Sequence, residues 1–88
     1  MKGLIMDLEK IKDKQYITKN LNLASFLFAS GIQFVGADKV RKEFYFKFLP
    51  KEQAEQLVNQ YFLGKATVNP KELFSKQHDL KDLIFNQK

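Results

Sequence analysis

The side chains best suited to chemistry are basic and phenolic, and most of them lie between positions 39 and 47. A lysine or arginine can bind a nucleic-acid phosphate, and a tyrosine ring can stack on an unpaired base. We therefore predict a surface for single-stranded nucleic acid, made of Lys39, Arg41, Lys42, Tyr45, Lys47 and Tyr16. The net charge of +5 would attract the same polyanion, although many small soluble proteins carry as much.

The sequence contains few candidate catalytic residues. The single histidine, His78, lies beside Asp79 on the polar side of a predicted helix, where a solvated residue is expected. There is no cysteine, and the carboxylates alternate with lysines instead of forming a pair or a hard-metal site. The sequence therefore predicts a protein that is not an enzyme, with no cofactor, no metal and no small-molecule substrate.

Nothing in the sequence indicates secretion or a membrane span. The apolar start, residues 3–6, has only four residues, and the longest apolar stretch, residues 21–37, is interrupted by polar residues and glycines. The absence of cysteine fits a reducing compartment. We expect a cytoplasmic protein without a membrane partner.

Hydrophobic spacing and capping residues predict the elements that must position these side chains. In chain order they are a helix over 3–13, a strand over 15–18, a helix over 23–30 between Asn22 as N-cap and Gly31, strands over 32–37 and 41–48 with a turn at 38–40, a helix from Pro50 to Gly64, a candidate short strand over 66–68, and a helix from Asn69 to Phe85. The apolar faces of the last two helices are predicted to be Ala54, Leu57, Val58, Tyr61 and Phe62, and Leu73, Phe74, Leu80, Leu83 and Ile84.

This order predicts an α+β fold. Without the terminal helices it is βαββα(β), the ferredoxin-like order, in which helices cover one face of a small antiparallel sheet of three or four strands. We expect residues 15–88 to form a single domain, with residues 1–14 as a separate N-terminal helix.

The first predicted helix is amphipathic and suggests an alternative function. Its apolar residues recur at helical spacing with charges between them: Leu4, Ile5, Leu8 and Ile11. This stripe would dock on the domain itself, on a second copy in a homodimer, or on a larger partner. The chain would then be a protein-interaction module or accessory subunit.

The segment KEFYFKF, residues 42–48, decides which side chains remain for a binding surface. A one-residue slip in a strand exchanges its two faces. Burying the charged face would cost roughly several kcal/mol, whereas each buried phenylalanine contributes about 2–3 kcal/mol. We predict that Phe44, Phe46 and Phe48 face the core and that Glu43, Tyr45 and Lys47 face away.

The same order of elements occurs in the RNA recognition motif, whose third strand stacks RNA bases on aromatic rings. In the register above, that motif is matched at Arg41, Tyr45 and Phe48. Lys42 stands where the motif has glycine, and Glu43 where it has an exposed aromatic ring. The first strand, YITKNL, also resembles the motif's partner strand, with one residue too many before its last leucine. This resemblance is one of topology, and it leaves Tyr45 as the main candidate for stacking.

A second resemblance covers more of the chain. It rests on Tyr16-x-Thr18, Leu21-x-Leu23-Ala24, Leu27, Gly31, Tyr45-Phe46-x-Phe48, Leu57, Tyr61, Gly64, Val68, Phe74 and Leu80-Lys81-x-x-Ile84. These positions, spread over residues 16–85, resemble a family of short bacterial and phage-borne domains of unknown function. The resemblance implies a stand-alone α+β module of phage or mobile-element type, and it brings no activity and no catalytic residues.

Overall fold

The computed structural model describes residues 14–86 and has an α+β architecture. In chain order the elements are β1 (Tyr16–Thr18), α1 (Leu21–Ala29), β2 (Gln33–Val40), β3 (Glu43–Leu49), α2 (Lys51–Phe62) and α3 (Pro70–Asn86). The predicted helix over residues 3–13, with Leu4, Ile5, Leu8 and Ile11, lies outside the described residues. Within residues 14–86, no helix is both long enough and apolar enough to cross a membrane.

The described strands form one antiparallel sheet in the order β1-β3-β2. The central strand, β3, pairs with β2 through the hairpin and with β1 across the crossover that contains α1. The candidate strand over 66–68 is not formed, because residues 65–69 are an irregular connection. The sheet of the described chain therefore has three strands.

The register of β3 agrees with the prediction from burial cost. Phe46 and Phe48 are 1% and 0% exposed and belong to the core, and Phe44 packs against it. Glu43, the first of the residues predicted to face away from the core, is exposed. The helices therefore cover the phenylalanine face of the sheet, and the opposite face is open; we call the latter the open face.

A bulge in β2 sets which of its residues share a face. Phe34 is paired with Phe48, and Ala37 with Phe46, although two residues separate Phe34 from Ala37. The extra residue is taken up between Phe34 and Gly36, where the register shifts and Gly36 adopts a φ of 153° that favours glycine. The bulge thus keeps both side chains on the helix side of the sheet.

The helix α1 begins two residues earlier than predicted. Its N-cap is Asn20, whose side-chain oxygen accepts a hydrogen bond from the Leu23 amide at 3.1 Å. Asn22 lies inside the helix instead, where its side chain accepts a 2.7 Å hydrogen bond from Gln77 in α3. Both asparagines have cap-forming side chains, so the sequence alone did not separate them. As predicted, the helix stops before Gly31, which has a φ of 91°.

The remaining helices start and end close to the predicted residues. Pro50 is the N-cap of α2 and not its first residue. Gly64, with a φ of 72°, follows the end of α2. Asn69 caps α3, because its side-chain oxygen accepts a 2.8 Å hydrogen bond from the Lys71 amide. The core is completed by Ala54 and Val58 of α2 and Leu80 of α3.

Two aromatic residues predicted for the core are exposed. Phe62 is 71% exposed and Phe74 is 65% exposed. Each lies at the edge of its helix's apolar stripe, whose centre is buried. Helical spacing predicted the stripe correctly, but its width depends on neighbours that the spacing does not reveal.

Candidate functional site

The hairpin that carries most of the predicted binding residues ends in a tight turn. Val40 pairs with Glu43, so Arg41 and Lys42 alone form the turn. The prediction of a turn at 38–40 is wrong, because β2 stays paired with β3 up to Val40. Arg41 adopts a φ of 61°, in the left-handed region that favours glycine. The side chains of both turn residues are exposed at the end of the sheet.

Tyr45 lies on the open face in a small polar cluster. Its hydroxyl donates a 3.0 Å hydrogen bond to a Glu43 carboxylate oxygen. The Lys19 ammonium lies 3.4 Å from the same oxygen and 6.0 Å from the centre of the Tyr45 ring. The hydrogen bond to Glu43, helped by desolvation and by the carboxylate charge, raises the pKa of the Tyr45 phenol above its ordinary value. Tyr45 is therefore a neutral hydrogen-bond donor at physiological pH.

Lys19 is a member of this cluster that the sequence did not reveal. It follows β1 directly, and only the pairing of β1 with β3 brings it beside Glu43. The ion pair matters for binding because Glu43 would otherwise repel a phosphate on the open face. Lys19 offsets that charge.

The turn and the cluster border a common concavity. Val40, Arg41, Lys42, Glu43 and Tyr45 line an open depression of about 580 Å³. Arg41 and Lys42 form no ion pair with any other residue in the described part of the chain. The depression therefore combines two available cations with an aromatic ring.

Lys47 lies on the predicted face, but its ammonium is already paired with a carboxylate. Its ammonium forms a 2.9 Å ion pair with Asp38, the neighbouring open-face position of β2. The Lys47 side chain is only 23% exposed, so it is held at the middle of the sheet. Its neighbour across the β1–β3 pair is the apolar Ile17. This part of the open face is neutral and partly apolar.

Two residues of the predicted nucleic-acid surface, Tyr16 and the expected turn residue Lys39, lie on the helix side of the sheet, away from Tyr45. Tyr16 pairs with the core residue Phe48 and packs against the core. Desolvation, with a smaller contribution from the Glu55 charge, raises the pKa of Tyr16. Lys39 belongs to β2, opposite Phe44, with its ammonium 5.8 Å from the centre of that ring. The faces of β1 and β2 follow from their pairing with β3, which the sequence did not fix for these strands.

The other candidates for chemistry are dispersed. His78 is exposed on α3, and its Nε2 lies 3.3 Å from a carboxylate oxygen of Asp82, one helical turn further on. Within residues 14–86, no three histidine, cysteine or carboxylate side chains come together in a way that could hold a metal ion. The hairpin end is thus the part of the predicted site that the fold assembles: Arg41, Lys42 and Tyr45, joined by Lys19.

Comparison with known proteins gives a family but no function. The model of the family described as Domain of unknown function (DUF5659) matches residues 13–86. This range is nearly that of the resemblance noted from the sequence. A search of curated proteins and a search of solved structures each found no significant match.

Proposed function

This chain belongs to the DUF5659 family, and since that family assigns no activity, we propose a function from the chain's own residues. The protein is a small non-enzymatic module that binds single-stranded nucleic acid weakly through the end of its hairpin. The site is smaller than the sequence predicts, because Tyr16 and Lys39 lie on the other side of the sheet and Lys47 is paired with Asp38.

One observation carries this proposal. Arg41 and Lys42 are exposed cations that form no ion pair within residues 14–86, and they border the same depression as the ring of Tyr45. Cations beside an aromatic ring are the combination that proteins use for single strands, because phosphates and bases alternate along the strand. The Lys19–Glu43 ion pair supports it further, since Lys19 offsets the charge of the Glu43 carboxylate, which also lines the depression.

The expected affinity follows from the small number of contacts. Arg41 and Lys42 would contact phosphates, and a base stacked on Tyr45 would add roughly 1–3 kcal/mol with little sequence preference. About two phosphate contacts correspond to a slope near −1.4 in log affinity against log salt for a single strand. We expect micromolar dissociation constants, with affinity falling roughly sevenfold between about 50 and 200 mM salt.

The topology is consistent with this function. The strand order β1-β3-β2, with α1 in the crossover between β1 and β2, supports a ferredoxin-like relationship without the fourth strand. Domains of the RNA recognition motif type bind RNA on the open face of such a sheet. Here Ile17 and Val35 are exposed apolar residues of the sheet outside the depression, so the phosphate contacts are restricted to the hairpin end. A phage or mobile-element origin stays a prediction from the resemblance alone.

Fluorescence anisotropy with a labelled single-stranded oligonucleotide tests the proposal. The test variant combines Arg41→Asp, because aspartate tolerates a left-handed φ, with Lys42→Glu. The control combines Lys65→Glu with Lys71→Glu, which lies elsewhere on the surface. Each pair turns two cations into two anions and so lowers the formal net charge from +5 to +1.

Binding that is lost in the hairpin variant and kept in the control supports the proposal. A third variant, Tyr45→Phe, keeps the ring and should bind as well as the parent, whereas Tyr45→Ser should bind at least fivefold more weakly, as expected for a lost stacking contact. No binding at low salt, or equal loss in both charge variants, would show that the hairpin end is not a nucleic-acid site.

A further inference from the structure

A second concave surface lies away from the hairpin, where α1, the end of α2 and the start of α3 meet. This groove has a volume of about 420 Å³, and the residues that define it are Phe26, Tyr61, Val68, Leu73, Phe74 and Gln77. The rings of Phe26 and Tyr61, 5.4 Å apart between centres, pack against each other beside it. Its size and apolar lining are those of a site that encloses a large side chain or small ligand.

The groove continues into exposed apolar surface. Phe74, on its α3 side, is 65% exposed. Phe62 is 71% exposed and makes an edge contact with Tyr61, at 5.4 Å between ring centres. An apolar patch that stays exposed in the folded chain indicates an interaction site, because folding alone would bury such side chains. Of these two exposed aromatic residues, Phe74 lines the groove and Phe62 contacts the lining residue Tyr61.

The polar groups at the groove suit a peptide backbone. The side-chain amide of Gln77 donates to Asn22 at 2.7 Å, and both residues line the groove. This leaves the Gln77 oxygen as an acceptor and the Asn22 amide as a donor, with no further partner among the described residues. A peptide unit offers one donor and one acceptor and can satisfy both.

Two lysines lie close in sequence to residues that line the groove. Lys65 stands between two residues that line it, Gly64 and Ala66. Lys71 precedes Phe74 by three residues and so shares its face of α3. Both lysines are exposed and form no ion pair within residues 14–86. Among the described residues, no carboxylate lines the groove.

We propose that this groove binds an acidic peptide segment of another protein through one large apolar anchor side chain. The anchor packs between Phe26, Tyr61 and Phe74, and carboxylates beside it pair with Lys65 and Lys71. Charge complementarity selects this occupant. A second copy of this chain has a net charge of +5, so it would repel the two lysines instead of pairing with them. Residues 1–13 carry three lysines and three carboxylates and offer no net negative charge.

Selection from a random peptide library displayed on phage, against the immobilised full chain, tests the proposal. The enriched peptides should share an aromatic residue or leucine flanked by aspartate or glutamate. Synthetic copies should bind at least tenfold more weakly to Phe74→Ser and to the combined Lys65→Glu and Lys71→Glu variant. The matched controls are Ile17→Ser, an exposed apolar residue of the open face, and the combined Arg41→Asp and Lys42→Glu variant, which should bind as the parent does.

Selection without enrichment, or enriched peptides without acidic residues, would overturn the proposal, as would equal losses in the controls. Because Phe74 is mostly exposed, Phe74→Ser should leave the thermal melt nearly unchanged, so a loss of binding is not a loss of fold.

Photo-crosslinking identifies the occupant directly. With p-benzoylphenylalanine in place of Phe74, the full chain should crosslink to an added selected peptide. A dominant crosslink to a second copy, or to residues 1–13 of the same chain, that the peptide does not displace would also overturn the proposal. Among residues 14–86, the groove and the hairpin end share no lining residue, so binding at either site can be lost without the other.

Discussion

Replacing Phe46 by alanine should be far more damaging than replacing its neighbour Tyr45. Phe46 is 1% exposed and lies in the middle of the core, between the sheet and the helices. Truncation of such a ring costs roughly 3–5 kcal/mol, because it removes buried apolar surface and leaves a cavity. For 88 residues, typical stabilities give about 4–13 kcal/mol in total, so Phe46→Ala removes roughly a quarter or more.

The loss of folding stability on replacing Tyr45 is smaller, because Tyr45 lies on the open face of the sheet and not in the core. Tyr45→Ala loses an exposed hydrogen bond to Glu43 and part of a ring on the open face, which together amount to about 1 kcal/mol at most. At about 4–8 °C per kcal/mol for a domain of this size, Phe46→Ala should lower the melting temperature by more than about 12 °C, and Tyr45→Ala by less than about 8 °C.

Urea denaturation followed by circular dichroism measures both changes as free energies. Phe46→Leu, which keeps most of the volume, is the control and should cost less than about 1.5 kcal/mol. Equal losses for the two alanine variants, or a larger loss for Tyr45, would refute the reasoning that burial cost selects the register of β3.

Three further predictions concern the turn, the first helix and the open-face cluster. Arg41→Gly should raise the stability by about 0.5–1 kcal/mol in urea denaturation, because glycine adopts the φ of 61° without strain; an unchanged or lower midpoint would contradict this. Asn20→Ala should cost about 1 kcal/mol as the loss of an N-cap, clearly more than Asn22→Ala in the same assay, and the reverse order would place the cap at Asn22. Since the pKa of Tyr45 is raised in the folded state, the stability that this group contributes is complete below pH 10 and is lost as the pH rises through the folded pKa. Glu43→Gln should lower that pKa in an ultraviolet titration of the tyrosines, with Tyr45→Phe identifying the affected group.

Alternation within β3 was enough to predict its faces, because charge on one side and phenylalanine on the other differ by several kcal/mol in burial cost, roughly. The same reasoning failed for the strands beside it. The sequence predicts a turn at Lys39 because no glycine or asparagine marks the actual turn, where Arg41 adopts a left-handed φ. Tyr16 lies in a strand of three residues, too short for alternation to indicate its face.

The binding surfaces were the least predictable part. The cluster of Lys19, Glu43 and Tyr45 depends on the pairing of β1 with β3, which joins positions 24 residues apart. The groove depends on the packing of α3 against α1, and helical spacing gave no reason to expect Phe74 outside the core. Local sequence patterns predicted elements and their buried centres, whereas both candidate sites formed where separate elements meet.

The bulge in β2 also marks where the length of this chain can vary. Val35 and Gly36 together stand opposite the single residue Lys47, so one of them is surplus to the ladder. Removing it would leave Phe34 beside Phe48 and Ala37 beside Phe46, with every residue on its present side of the sheet. In an alignment of DUF5659 domains, a one-residue gap here would therefore be structurally silent. A gap on either side of the bulge would instead exchange the inner and outer faces of the hairpin.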